Sequence, residues 1–121
     1  MIEELVSKVF AARNAAHLQH WRTKSFSHHM ALNEFYDSVI DGIDSIVEVY
    51  QGAFELLSID ELPDHKKYTD ITDIIKMMED DLIWIGKNRA KITRGLPAID
   101  NLLQGLEDSY LKALYKLKNL A

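Results

Sequence analysis

The sequence predicts an all-α protein, a single four-helix bundle with a longer connection between its second and third helices. Two observations predict it. Glycine and proline are scarce, 5 and 2 in 121 residues, while helix formers such as Leu, Ala, Lys and Glu abound. Apolar residues also recur at three- and four-residue steps through four separate stretches, which is the period of a helix face. A chain of 121 residues with 47% hydrophobic content fits one domain, residues 1–121, around one continuous core.

The first helix, α1, runs from Ile2 to about Arg22, with Leu5, Val6, Val9, Phe10, Ala12, Ala16 and Trp21 as its apolar residues. Thr23 to Ser27 is short and polar, and Ser25 or Ser27 can accept a hydrogen bond from the free N–H groups of the next helix. So tight a turn makes α2 antiparallel to α1. From Ser27 to Gly52, α2 carries Leu32, Phe35, Val39, Ile43, Ile46 and Tyr50 on one face, with Gly52 as its end or a bend. The stretch from Ala53 to Lys67 holds an apolar piece, Phe54 to Leu57, and the turn-like IDELPDHKK, a long connection with one helical turn inside it. The third helix, α3, begins near Asp70, gains negative charge in its first turn from Asp73, and continues through Ile74, Met77, Met78, Leu82 and Ile85 to about Ile92. Gly95 and Pro97 interrupt the pattern. Pro97 suits the first turn of α4, which follows Ile99, Leu102, Leu103, Leu106, Tyr110, Leu114 and Leu117.

Composition excludes several functions. Without cysteine there is no disulfide, thiolate metal site or cysteine nucleophile, so any metal must be held by histidines and carboxylates. A net charge of −5 with no Lys/Arg-rich tail argues against nucleic-acid binding, which depends on neutralising phosphates. No apolar run approaches the roughly 20 residues that span a bilayer, and MIEELVSKVF is acidic and amphipathic, so a cytoplasmic protein with no membrane partner is expected. No phosphate-binding glycine loop or nucleophile elbow points to a hydrolase or transferase. Lys87, Arg89, Lys91 and Arg94 read as complements to a helix dipole, and Trp21, Trp84, Tyr36, Tyr50, Tyr68, Tyr110 and Tyr115 as core or interface packing.

The informative feature is a polar stripe on α2: His29, Asn33, Asp37, Asp41, Asp44 and Glu48, at steps of four or three residues. At about 100° per residue these positions share an arc of roughly 120° beside the apolar face. Any surface helix has a polar face, but such faces mix in Lys or Arg because acids four residues apart repel. None occurs between Ser27 and Gly52. His29 and Asp44 stand about 22 Å apart along a helix that rises ~1.5 Å per residue, too far to share an ion within one chain. Antiparallel pairing of α2 with its copy in a second subunit would bring them together and create two equivalent sites. On α1, His17 and His20 lie on one side near the turn, with His17 able to approach His29; His28 and His65 read as surface histidines.

Over His17 to Glu48 the residues resemble the Dps mini-ferritins. That family's inter-subunit iron site follows His, eleven residues, His, three residues, Asp, ten residues, Asp, three residues, Glu, and His17, His29, Asn33, Asp44 and Glu48 stand at those spacings. Four of the five residue types match, and the apolar residues of HMALNEFYDSVIDGIDSIVE are similar too. The resemblance implies a ferritin-like bundle, with His17, His29 and residue 33 of one subunit and Asp44 and Glu48 of another binding iron that peroxide or oxygen oxidises. Asn33 replaces an Asp, with Asp37 one turn on and Asp41 beyond it as alternates. The family's His-Trp pair falls here at His20 and Trp21, so either His17 or His20 is the α1 ligand. The basic tail that coats DNA in the family has no counterpart. HLQHWRTKSFSHHMALNEFYDSVIDG also resembles small ferritin-like proteins of phage and prophage origin.

The expectation is therefore a homodimeric, iron-binding, ferritin-like protein, an oxidoreductase if it oxidises Fe(II), with Mn(II) or Zn(II) equally suited to imidazole and carboxylate ligands. The alternative is a non-enzymatic helical bundle for protein interaction, its metal site degenerate at Asn33.

Overall fold

The four stretches of helical period form four α-helices in a computed structural model of the chain, which describes residues 1–59 and 70–121. They are α1, Ile2–Arg22; α2, Phe26–Ala53; α3, Ile71–Thr93; and α4, Pro97–Asn119. Polar side chains fix their starts. The Ser25 hydroxyl accepts from the His28 amide at 3.2 Å, which makes Ser25 rather than Ser27 the cap of α2. Asp70 accepts from the Asp73 amide at 3.0 Å to start α3. Arg94 and Gly95, at φ 51° and 78°, end α3 in left-handed conformation, and Pro97 opens α4.

Helix α2 runs one residue past Gly52, to Ala53. Beyond it the Gln51 side chain accepts from the Leu57 amide at 2.9 Å, and residues 54–59 are not helical. The helical turn expected in this connection is thus absent from its described part; the rest, with His65 and Tyr68, lies outside the described residues.

Side-chain pairs give the topology. Arg94, at the end of α3, donates to the Tyr50 hydroxyl at 3.2 Å and pairs with Glu55, just beyond α2. Lys116 and Lys118, near the end of α4, pair with Glu34 early in α2 and Glu79 early in α3. Helices α2 and α3 therefore run parallel, α1 and α4 run opposite to them, and the connection from α2 to α3 joins opposite ends of the bundle. Helix α2 packs against α1 and α4, and α3 closes the bundle against the same two.

The core is one cluster. Leu5, Val9, Leu32, Val39, Ile46, Ile74, Met78, Ile99 and Leu103 are fully buried within it. Tyr110 donates at 2.8 Å to Asp81, a carboxylate 6% exposed, so this polar pair is satisfied inside the interface of α3 and α4. Arg89 also ties those helices, reaching Asp100 and Glu107 at 2.8 Å each, a more specific task than complementing a dipole. Of the two expectations for Trp21, core or interface packing, the core one fails, since it is 67% exposed. It lies roughly 160° around α1 from Leu5, on the side of Phe10 and His17. Tyr115 is likewise exposed. Among the described residues, no helix is long and apolar enough to cross a membrane.

Truncating Ile46, fully buried in α2, to Ala should cost about 2–5 kcal/mol of unfolding free energy in a urea titration, through lost burial and the cavity left behind. Ser25→Ala should cost about 1 kcal/mol by the same measurement, because one α2 amide loses its acceptor.

Candidate metal centre

The short turn sets the geometry of the site. With α1 ending at Arg22 and α2 starting at Phe26, His20 and His29 face each other across the first antiparallel step of the hairpin. Their rings stack at 3.6 Å with an interplanar angle of 18°. His20 Nδ1 lies 2.7 Å from the His29 carbonyl oxygen, and His29 Nδ1 lies 2.8 Å from the His20 carbonyl oxygen. A carbonyl only accepts, so both Nδ1 atoms must carry the proton. The neutral rings are then held as tautomers whose Nε2 lone pairs are free, the arrangement in which a metal-binding histidine is oriented by its second nitrogen. The bonds also serve the backbone, since the His20 carbonyl sits in the last turn of α1, where carbonyls lack intrahelical donors.

His17 is half-buried one turn earlier. It stacks on Tyr36 at 4.1 Å, meets Trp21 at 4.4 Å and lies edge-on to His20 at 6.1 Å. The Tyr36 hydroxyl donates to Asn33 Oδ1 at 2.7 Å, and Asn33 Nδ2 donates to Asp37 at 3.3 Å. The Arg13 guanidinium lies 5.5 Å from the centre of the Tyr36 ring. Of the sequence candidates, the structure thus gathers His17, His20, His29, Asn33 and Asp37 around Tyr36 at one end of the α1–α2 hairpin. His20, rather than His17, is the histidine placed directly against His29.

Asp41, Asp44 and Glu48 stand farther along α2 and are exposed, with no ion pair among the described residues. Asp41 and Asp44 border a groove of about 410 Å³ between the helices, walled by Val6, Phe10, Ile40 and Val47. Among the described residues, no group of three or more His, Asp or Glu side chains is placed within one chain so that it could hold a metal ion. Imidazoles thus stand at one end of α2 and carboxylates toward the other.

Tyr36 and Trp21 are residues the sequence places near the site, but the reciprocal histidine bonds are not foreseen by it. The signal was available: His20 and His29 stand near equal distances on either side of the turn, as paired residues of a tight antiparallel hairpin must.

Partial burial, then the positive charge of Arg13, then His20, hold the His17 imidazole below the usual histidine range against an opposing pull from Asp37. The unfolded chain therefore binds more protons in that window. The stability tied to His17 is complete above about 6.5, the ordinary histidine value, and is lost as pH falls through the lowered one. Arg13→Gln should move the His17 titration midpoint upward in an NMR pH series on metal-free protein; an unmoved midpoint would show that the Arg13 charge is not felt.

No curated protein and no solved structure matches the chain. Residues 20–117 do match a protein family, from His20 and the start of the turn through all of α2 and α3 to Leu117 in α4. The match takes in most of the chain, including both stacked histidines and the whole α2 stripe, and the protein belongs to that family, described as a family of unknown function (DUF5856).

Proposed function

We propose that the protein is a ferritin-like metal-binding protein that takes up iron between two copies of α2, in the cytoplasm. The observation that carries this reading is the reciprocal bonding of His20 and His29, which orients two imidazoles with their Nε2 lone pairs uncommitted. Imidazole and carboxylate together suit Fe(II), and suit Mn(II) or Zn(II) as well. His29, His17 or His20, and residue 33 would come from one copy, with Asp44 and Glu48 from the other. The parallel course of α2 and α3 adds support, because a single long crossover is the connectivity of ferritin-like bundles.

Iron is the substrate on this reading. Two Fe(II) ions bound side by side at one such site would each give one electron to hydrogen peroxide, leaving two Fe(III) and two hydroxide ions. The protein's part is to hold the ions and supply carboxylates that favour the higher charge.

Asn33 favours the second reading, a helical bundle for protein interaction. Its amide is engaged on both sides, by Tyr36 and by Asp37, and a neutral oxygen is a weaker ligand than a carboxylate. The two readings separate in an anaerobic Fe(II) titration of metal-stripped protein by calorimetry, beside Glu48→Ala and His29→Ala. Saturable binding at one or two ions per chain, lost in both variants, is the expected result. No binding by the wild type, or binding indifferent to both changes, would leave the interaction reading in its place.

A further inference from the structure

Charge and polarity are unevenly spread along the chain. Between Glu4 and Glu34 there is no acidic residue, while Lys8, Arg13, Arg22 and Lys24 give that stretch four positive charges; with a net charge of −5 overall, the remainder is strongly acidic. The second half of the stretch forms the tip of the α1–α2 hairpin. Of the eleven large apolar side chains exposed among the described residues, four stand there: Leu18, Trp21, Phe26 and Met30. At about 100° per residue, Leu18 and Trp21 lie within roughly 60° of each other on α1 and roughly 140–160° from Leu5. Phe26 and Met30 lie within about 40° of each other on α2 and roughly 160° from Ile46. All four therefore point away from the core, and Trp21, 67% exposed, and Phe26, 77%, do so on either side of the turn.

Arg22 and Lys24 are exposed between those two rings. Aromatic rings flanked by long basic side chains suit the interface of a bilayer, where the rings settle at headgroup level and the basic groups reach lipid phosphates. The acids of α2 do not oppose such a contact. Glu34 and Asp37 stand about 12 Å and about 16 Å beyond Phe26 along the helix, farther than the roughly 10 Å over which exposed charges act at 0.1 M salt. Glu34 is in addition paired with Lys116. The end of α4 reaches the same end of the bundle with Leu120 exposed and with Lys116 and Lys118. Asp70 and Asp73 are acids at that end, but they belong to α3, which packs on α1 and α4 and lies diagonal to α2. A nucleic-acid strand fits the tip less well, because Leu18 and Met30 offer no flat ring on which a base can stack.

We infer that the hairpin tip docks on an anionic lipid surface, with Trp21 and Phe26 entering the headgroup layer and Arg22 and Lys24 meeting lipid phosphates. This departs from the expectation of no membrane partner, which came from the lack of a spanning run and from the acidic start of the chain. A helix too short or too polar to cross a bilayer does not prevent a protein from resting against one. Two rings and two basic groups make a weak, reversible contact, so binding depends on both sets together. The tip precedes the span from His29 to Glu48 on which the metal reading depends, and the inference stands apart from that reading.

The test is co-sedimentation of the full chain with large unilamellar vesicles, in chelator, using phosphatidylcholine alone or with about 30% phosphatidylglycerol. Binding to the anionic vesicles should be about tenfold or more tighter than to the neutral ones, and should fall by about tenfold or more in Trp21→Ser with Phe26→Ser and in Lys24→Glu. Circular dichroism should show unchanged helicity, because none of these side chains is buried. A second arm reads the indole directly. Trp84 is the other tryptophan, so in Trp84→Phe the emission reports Trp21 alone and should move to shorter wavelength on anionic vesicles. No binding to either vesicle, binding indifferent to the substitutions, an unmoved Trp21 emission, or capture of single-stranded DNA in place of vesicles would each overturn the inference. None of these outcomes bears on the Fe(II) titration, which is made without lipid.

Discussion

Thr23 to Ser25 leave the chain almost no length in which to reverse direction, and the position of every residue at the candidate centre follows from that constraint. The last turn of α1 has carbonyl groups without donors, and the first turn of α2 has amides without acceptors. Ser25 answers the second need through the His28 amide, and the His29 ring answers the first by donating to the His20 carbonyl. The imidazoles are thus held by the backbone whether or not a metal is present.

The contrast between surfaces is as informative as the site. On α3 and α4 several charges are paired: Arg89 holds Asp100 and Glu107, Lys76 faces Asp80, and Lys118 faces Glu79. On α2 only Glu34, at the edge toward α4, has a basic partner among the described residues, Lys116. Acids three and four residues apart each cost only a few tenths of a kcal/mol. The buried side of α2, with Leu32, Phe35, Val39 and Ile46, stabilises the helix by far more than that, so the fold tolerates an acidic stripe that it does not require.

Much of this architecture was legible in the sequence, because the signals were local and periodic. All four helices, the Pro97 start and the Asp70 region follow from apolar spacing and capping residues. Trp21 shares the apolar character of Leu5 and Val9 but stands on another side of α1, so hydrophobicity alone did not decide between core and interface. The parallel course of α2 and α3 was beyond periodicity, since it is fixed by long-range pairs such as Arg94 with Tyr50 and Lys118 with Glu79. The candidate residues were legible in type and spacing. The preference of His29 for His20 over His17 was not, because it depends on hydrogen bonds to main-chain oxygens that no side-chain pattern encodes.

Closing a four-helix bundle uses one side of every helix, and what remains outside is free to differ. Here the difference falls along one hairpin. The α3–α4 side meets water with paired charges, while the α1–α2 side presents imidazoles, aromatic rings, a groove and unpaired carboxylates. These features do not explain one another through stability: exposed Trp21 and Phe26 gain nothing from water, and the carboxylates gain nothing from each other. Imidazole and carboxylate do complement each other as ligands of one ion, but they stand toward opposite ends of the same helix, separated by the length of several turns. A contact that reversed the direction of α2, as in the shared site proposed above, would join the two ends.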